Sequence, residues 1–150
     1  MLPARIPARL VPTLTLKPHQ REAVSFVHAA LRQEESFAIL ADDMGMGKTL
    51  AALRVMMDVL GDDEKTGAVL VLTTRVIVEE VWRPHLRQYA PSASVHVVGN
   101  EAPEARGQAL RQAVATRHVV LCTATMAGAL HVRDKTWAAA TAAARLVVVD

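Results

Sequence analysis

Cysteine is nearly absent: Cys122 stands alone in 150 residues, which excludes a disulfide framework within the chain and fits a reducing compartment. Long apolar runs are missing too. None approaches the roughly 18 to 20 residues that a membrane-spanning helix needs, so no membrane partner is expected. Residues 1–15 are broken by Pro3, Pro7 and Pro12 and carry Arg5 and Arg9, without the continuous apolar core of a secretory leader. An intracellular protein is expected, nuclear if the organism is a eukaryote and cytoplasmic otherwise. Nor is there an excess of one charge. The net charge is +2 and the seventeen basic residues are scattered, so the count leaves nucleic acid open as a partner without arguing for it. There are no internal repeats, and His85, His96 and His118 lack metal-ligand spacing and read as surface or packing histidines.

What is present is apolar sequence in short pieces. Half of the chain, 51%, is hydrophobic, enough for the core of one domain. Residues 1–14 read as an extended or disordered arm, and 15–150 as the domain. Pro18 suits the first turn of a helix on which Ala23, Val24, Val27, Ala30 and Leu31 share a face, before the polar stretch 33–36. Phe37-Ala38-Ile39-Leu40 reads as a short buried strand. A helix carrying Leu50, Leu53, Met57 and Leu60 follows, with Gly61 expected as its left-handed cap, and then a charged surface loop over 62–67.

Ala68–Leu72, Ser94–Val98, His118–Cys122 and Arg145–Val149 are strand-length apolar runs of the kind covered on both faces. Between them lie a crossover helix with Val78, Val81, Trp82, Leu86 and Tyr89, which Pro84 should kink or split, and a helix from about Pro103 to Ala115. The alanine-rich 137–144 is a short surface helix or a flexible insert, and helix propensity favours the helix. Strand and helix alternate. The expected fold is therefore α/β, a mainly parallel sheet with helices on both faces and ligands at the carboxyl ends of the strands.

Ala41-Asp42-Asp43-Met44-Gly45-Met46-Gly47-Lys48-Thr49, between an apolar run and a helix, reads as a phosphate-binding loop. Glycines let backbone N–H groups converge on phosphate oxygens, and a helix begins where the positive end of its dipole meets the anion. Lys48 would reach the β- and γ-phosphates and the Thr49 hydroxyl would ligate the accompanying magnesium. Asp42 occupies the place where the general pattern has a glycine. Asp150, after a valine-rich strand, has the context of the acidic residue that holds magnesium through its water shell.

The order Leu16-Lys17-Pro18-His19-Gln20, then the loop from Leu40 to Thr49, then Val71-Leu72-Thr73-Thr74 with Trp82 downstream, then Val120-Leu121-Cys122-Thr123, then Val147-Val148-Val149-Asp150, resembles the first RecA-like lobe of SNF2-family ATPases in helicase superfamily 2. Family members usually read Ala-Asp-Glu-Met-Gly-Leu-Gly-Lys-Thr, so Asp42 is the family's own habit. The resemblance implies a three-layer RecA-like domain that binds ATP and Mg2+ through Asp42, Met44, Gly45, Met46, Gly47, Lys48 and Thr49, with Lys48 and Asp150 catalytic and Thr49 and Asp150 at the metal. It implies adenine recognition by Gln20, whose amide presents one donor and one acceptor. It also implies sequence-nonspecific contact with the duplex DNA backbone from Thr73, Thr74 and Thr123, although threonine at a strand end is common turn chemistry as well.

Three departures concern the DNA side. The proline usual at Thr73 is absent, Trp82 lies a couple of residues farther along than expected, and Ala124-Thr125 replace a serine or threonine followed by tyrosine. The completion of the magnesium motif and the second lobe with its arginine finger would follow Asp150, so a lobe cut at that strand is expected. The implied activity is ATP-driven translocation that remodels protein–DNA complexes, with little turnover by this chain alone. Two alternatives stay open: a lobe of another superfamily 2 DNA or RNA helicase, and a noncatalytic module that binds nucleotide or a partner.

Overall fold

The computed structural model describes residues 14–33, 37–62 and 67–150. The expected N-terminal arm lies outside them except for Leu14, as do 34–36 of the polar stretch and 63–66 of the charged loop. Helix α1 (Pro18–Leu31) starts with Pro18 in its first turn, where a missing N–H costs nothing, and packs on α2 (Lys48–Leu60). His28 Nε2 meets Asp58 Oδ2 at 3.0 Å across that seam.

The chain then runs through β1 (Val69–Thr73), a single turn α3 (Arg75–Ile77), a π turn (Val78–Trp82), α4 (Arg83–Tyr89) and β2 (Val95–Val97). It continues with α5 (Arg106–Thr116), β3 (Val119–Thr123), α6 (Ala124–Asp134), α7 (Thr136–Ala143) and β4 (Leu146–Val149). The four strands form one parallel sheet in the order β2-β3-β1-β4.

The apolar runs divide their side chains between two cores, because successive residues of a strand point to opposite faces. Val69, Val71, Val119 and Leu121 pack with Leu53, Met56, Trp82 and Leu86, under α2, the π turn and α4. Leu70, Val120 and Cys122 pack with Leu110, Val114, Leu130 and Ala140, under α5, α6 and α7. This is the α/β layering expected, and the alanine-rich stretch is a helix that buries Ala140.

Three expectations need correction. Phe37–Leu40 is extended but pairs in no ladder, and Phe37 and Ile39 are 75% and 72% exposed. The segment and β4 line one cleft, and among the described residues no strand hydrogen-bonds to either of the edges facing it. Gly61 ends α2 but in the right-handed region, φ −73°, because its N–H closes an ordinary helical bond to the Met57 carbonyl at 2.9 Å. Residues 103–105 form turns, so α5 starts at Arg106 and not at Pro103. Helix α6 was not anticipated; the Thr123 hydroxyl caps it by accepting the Met126 N–H at 3.2 Å.

Candidate functional site

The loop before α2 turns on two glycines, Gly45 at φ 83° and Gly47 at φ 81°, left-handed conformations that side chains disfavour. At Gly47 a Cβ would also overlap the Gln20 amide. From that turn α2 begins, with the Leu50 and Ala51 N–H groups on the Gly47 carbonyl at 3.1 and 3.2 Å. The loop itself lies on the surface. Met44 is 95% exposed, while Lys48 and Thr49 at the helix start are half-buried.

Lys48 folds back on its own loop. Its ammonium donates to the Asp42 carbonyl at 2.5 Å and to the Asp43 carbonyl at 3.0 Å. Both bonds already carry the ammonium's charge, but a neutral carbonyl dipole holds that charge less strongly than a negatively charged phosphate oxygen. An arriving polyphosphate would therefore displace them. The loop is tethered from behind by α1, where His19 Nε2 lies 2.9 Å from the Met46 carbonyl and Gln20 Nε2 donates to the same oxygen at 3.2 Å.

Gln20 is 6% exposed, and its Oε1 accepts the Lys17 N–H at 2.9 Å. One amide thus joins the start of α1 to the phosphate loop. In this conformation its acceptor and one donor hydrogen are spent on backbone.

At the carboxyl edge of the sheet three of the expected residues come together through strand register. Thr73 pairs with Thr123, Leu72 pairs with Val149, and the Asp150 N–H bonds the Leu72 carbonyl at 3.0 Å. Asp150 is thereby fixed one step beyond the ladder, next to Thr73. Thr74 caps the following turn, its hydroxyl accepting the Ile77 N–H at 3.4 Å. Thr73 is only 3% exposed, and its hydroxyl is buried without a partner, so as the chain stands it presents no group to a polymer at the surface.

Lys48, Thr49 and Asp150 line a single cleft of about 710 Å³, walled by β4, Ala38–Leu40, Val27 and Leu31. An ammonium, a hydroxyl and a carboxylate thus share one hollow at the carboxyl ends of parallel strands, the place where α/β sheets hold ligands. Among the described residues no group of three or more His, Cys, Asp or Glu side chains could hold a metal by itself. Thr49 and Asp150 supply two hard oxygen donors. That suits magnesium, which keeps several waters and takes few protein ligands.

Two further side chains with polar atoms line this cleft, Arg145 and Trp82, and Trp82 was missed as part of the site. Trp82 is fully buried, and its indole N–H donates to Asp150 Oδ2 at 2.9 Å. The available signal was its late position in the sequence, which the π turn ending at Trp82 partly accounts for, since a π turn takes up an extra residue without ending the helix.

The SNF2-related domain family matches residues 19–150. The Chromodomain-helicase-DNA-binding protein 1-like of Danio rerio is 30% identical over 112 residues, 74% of this chain and 11% of that protein. Protein CHROMATIN REMODELING 19 of Arabidopsis thaliana is 34% identical over 80 residues, 53% of this chain and 10% of that protein. The chain therefore spans about a tenth of the length of these curated relatives.

Among solved structures, the Sulfolobus solfataricus SWI2/SNF2 ATPase core in complex with dsDNA superimposes with a TM-score of 0.61 at 23% identity, covering 83% of this chain and 24% of that one. At that identity the likeness is one of fold. With the family match over nearly the whole chain, the phosphate loop before α2 and the parallel sheet behind it, the chain belongs to the SNF2-related domain family.

Proposed function

We propose that this chain is the first, ATP-binding lobe of an SNF2-like DNA-dependent ATPase, an intracellular motor that moves along duplex DNA and remodels protein–DNA complexes. The observation that carries the reading is the single cleft shared by Lys48, Thr49 and Asp150. Polyphosphate takes the place of the Asp42 and Asp43 carbonyls on Lys48 and meets the N–H groups that open α2. Thr49 and, through water, Asp150 hold the magnesium. A magnesium ion held there would supply positive charge against that developing on the phosphates.

The family pattern adds a second RecA-like lobe that closes over ATP and brings an arginine to the γ-phosphate. Loss of such an arginine costs on the order of 10³ or more in rate, so the chain alone binds nucleotide with little turnover. Duplex contact is to the backbone, sequence-nonspecific and weakened by salt. The test is calorimetry of Mg·ATP binding to the chain and to Lys48→Ala, with DNA-stimulated hydrolysis measured alongside. Binding by the chain that the variant loses agrees with the reading. A folded chain that binds no nucleotide sinks it as an independent site.

A further inference from the structure

Asp150 is held at two points. Its backbone N–H is anchored on β1 at Leu72, and one oxygen of its carboxylate receives the indole N–H of Trp82 at 2.9 Å from a fully buried ring. An indole nitrogen can only donate, and a buried one requires an acceptor. Here the acceptor is a carboxylate, which makes the bond charge-assisted and directional. Trp82 is itself immobilised, packed among Leu53, Val71, Val78, Leu86 and Leu121.

We propose that Trp82 is a positioning residue for the metal carboxylate: its N–H fixes the rotamer of Asp150, occupying Oδ2 and reserving Oδ1 for the magnesium water shell. The inference rests on the nucleotide reading above. Partners of this kind behind a metal's own ligands typically govern its affinity by 10- to 100-fold. The ring's volume serves the core, and the N–H alone serves the site. Phenylalanine therefore separates the two roles, keeping most of the packing and deleting the donor.

The experiment measures ATP affinity by calorimetry in EDTA and in saturating Mg2+, for the chain and for Trp82→Phe, Asp150→Asn and the double variant. The quantity read is the gain in affinity that Mg2+ confers, so a general loss of fold or nucleotide affinity cancels. Trp82→Phe should reduce that gain about tenfold. The double variant should be no worse than Asp150→Asn, because the two side chains act as one unit. An unchanged gain in Trp82→Phe, or fully additive losses, overturns the proposal.

A second measurement leaves Trp82 in place. Trp82 and Trp137 are the two tryptophans of the chain, so Trp137→Phe makes Trp82 the lone emitter. Its fluorescence should shift when Mg2+ is added to the ATP-bound chain and should not shift in Trp137→Phe/Asp150→Asn. No shift in the first overturns the proposal even where Trp82→Phe does not fold. If the chain binds no ATP with or without Mg2+, the nucleotide reading itself has failed and this inference goes with it; if ATP binds and only the Mg2+ gain is insensitive to Trp82, this inference alone is refuted.

Discussion

Replacing Gln20 with alanine removes two backbone attachments at once. The Lys17 N–H loses its acceptor at 2.9 Å and the Met46 carbonyl loses a donor at 3.2 Å. A net intramolecular hydrogen bond is worth about 0.5–1.5 kcal/mol, and a buried group left unmatched costs about 1–3 kcal/mol. His19 still reaches the Met46 oxygen, so only the Lys17 N–H is left short of its partner. The one methylene lost with the amide, from a side chain 6% exposed, adds about 0.8 kcal/mol. A loss of about 3 kcal/mol is expected.

Urea denaturation reads this as a fall in midpoint at constant m-value. Thermal melting should drop by roughly 6–12 °C for a domain of this size. Amide exchange should quicken over 44–47, the turn that the tether supports. A variant that loses less than about 1 kcal/mol, with exchange at the turn unchanged, would refute the account of Gln20 as the link between α1 and the phosphate loop.

Gly67 sits at φ 112°, and a Cβ there would lie 2.6 Å from the Ala143 carbonyl, so Gly67→Ala should cost about 2 kcal/mol or more in chemical denaturation. Burial pushes the Cys122 thiol up to about 12, with the Glu101 charge adding to it; iodoacetamide at neutral pH should leave the native thiol unmodified and label it after unfolding. Burial raises the Glu101 carboxyl, but hydrogen bonds from the Gly99 N–H and its own N–H, together with His96 at 2.8 Å, outweigh that and hold it below its ordinary value. A depressed folded value means stability that is present above the unfolded value, roughly 4.3, and lost as pH falls through the folded one. The stability gap between the chain and Glu101→Gln should therefore be widest near neutrality and close below about pH 4.

The parallel sheet was legible because 68–72, 119–122 and 146–149 are short, apolar runs rich in valine, as β1 and β3, buried on both faces, must be. Strand β4 has the same composition but lies at the sheet edge, with Val147 and Val149 38% and 75% exposed. That uniformity hides which residues face which core, and the division of Val69 and Val71 from Leu70 appears only in the folded chain. Phe37–Leu40 has the same composition yet no ladder. Strand formation needs a partner in reach, and composition does not report one. Helix α6 escaped because Gly128, His131 and Val132 blur its apolar period. The loop residues of the candidate site were readable from local order alone. The Trp82 contact to Asp150 joins positions 68 residues apart, and local order carries no trace of it.

The wide turn at Val78–Trp82 changes what counts as a tolerable insertion in this segment. An added residue within a regular helix rotates everything beyond it by about 100°, which would swing an indole away from its carboxylate. A turn that closes on the fifth residue absorbs the addition as a bulge, so the ring beyond it keeps its azimuth. Comparison of sequences by fixed spacing from Thr74 would then misplace this tryptophan, and a gap opened in the middle of a helix, ordinarily a sign of misalignment, is here the physically sound choice.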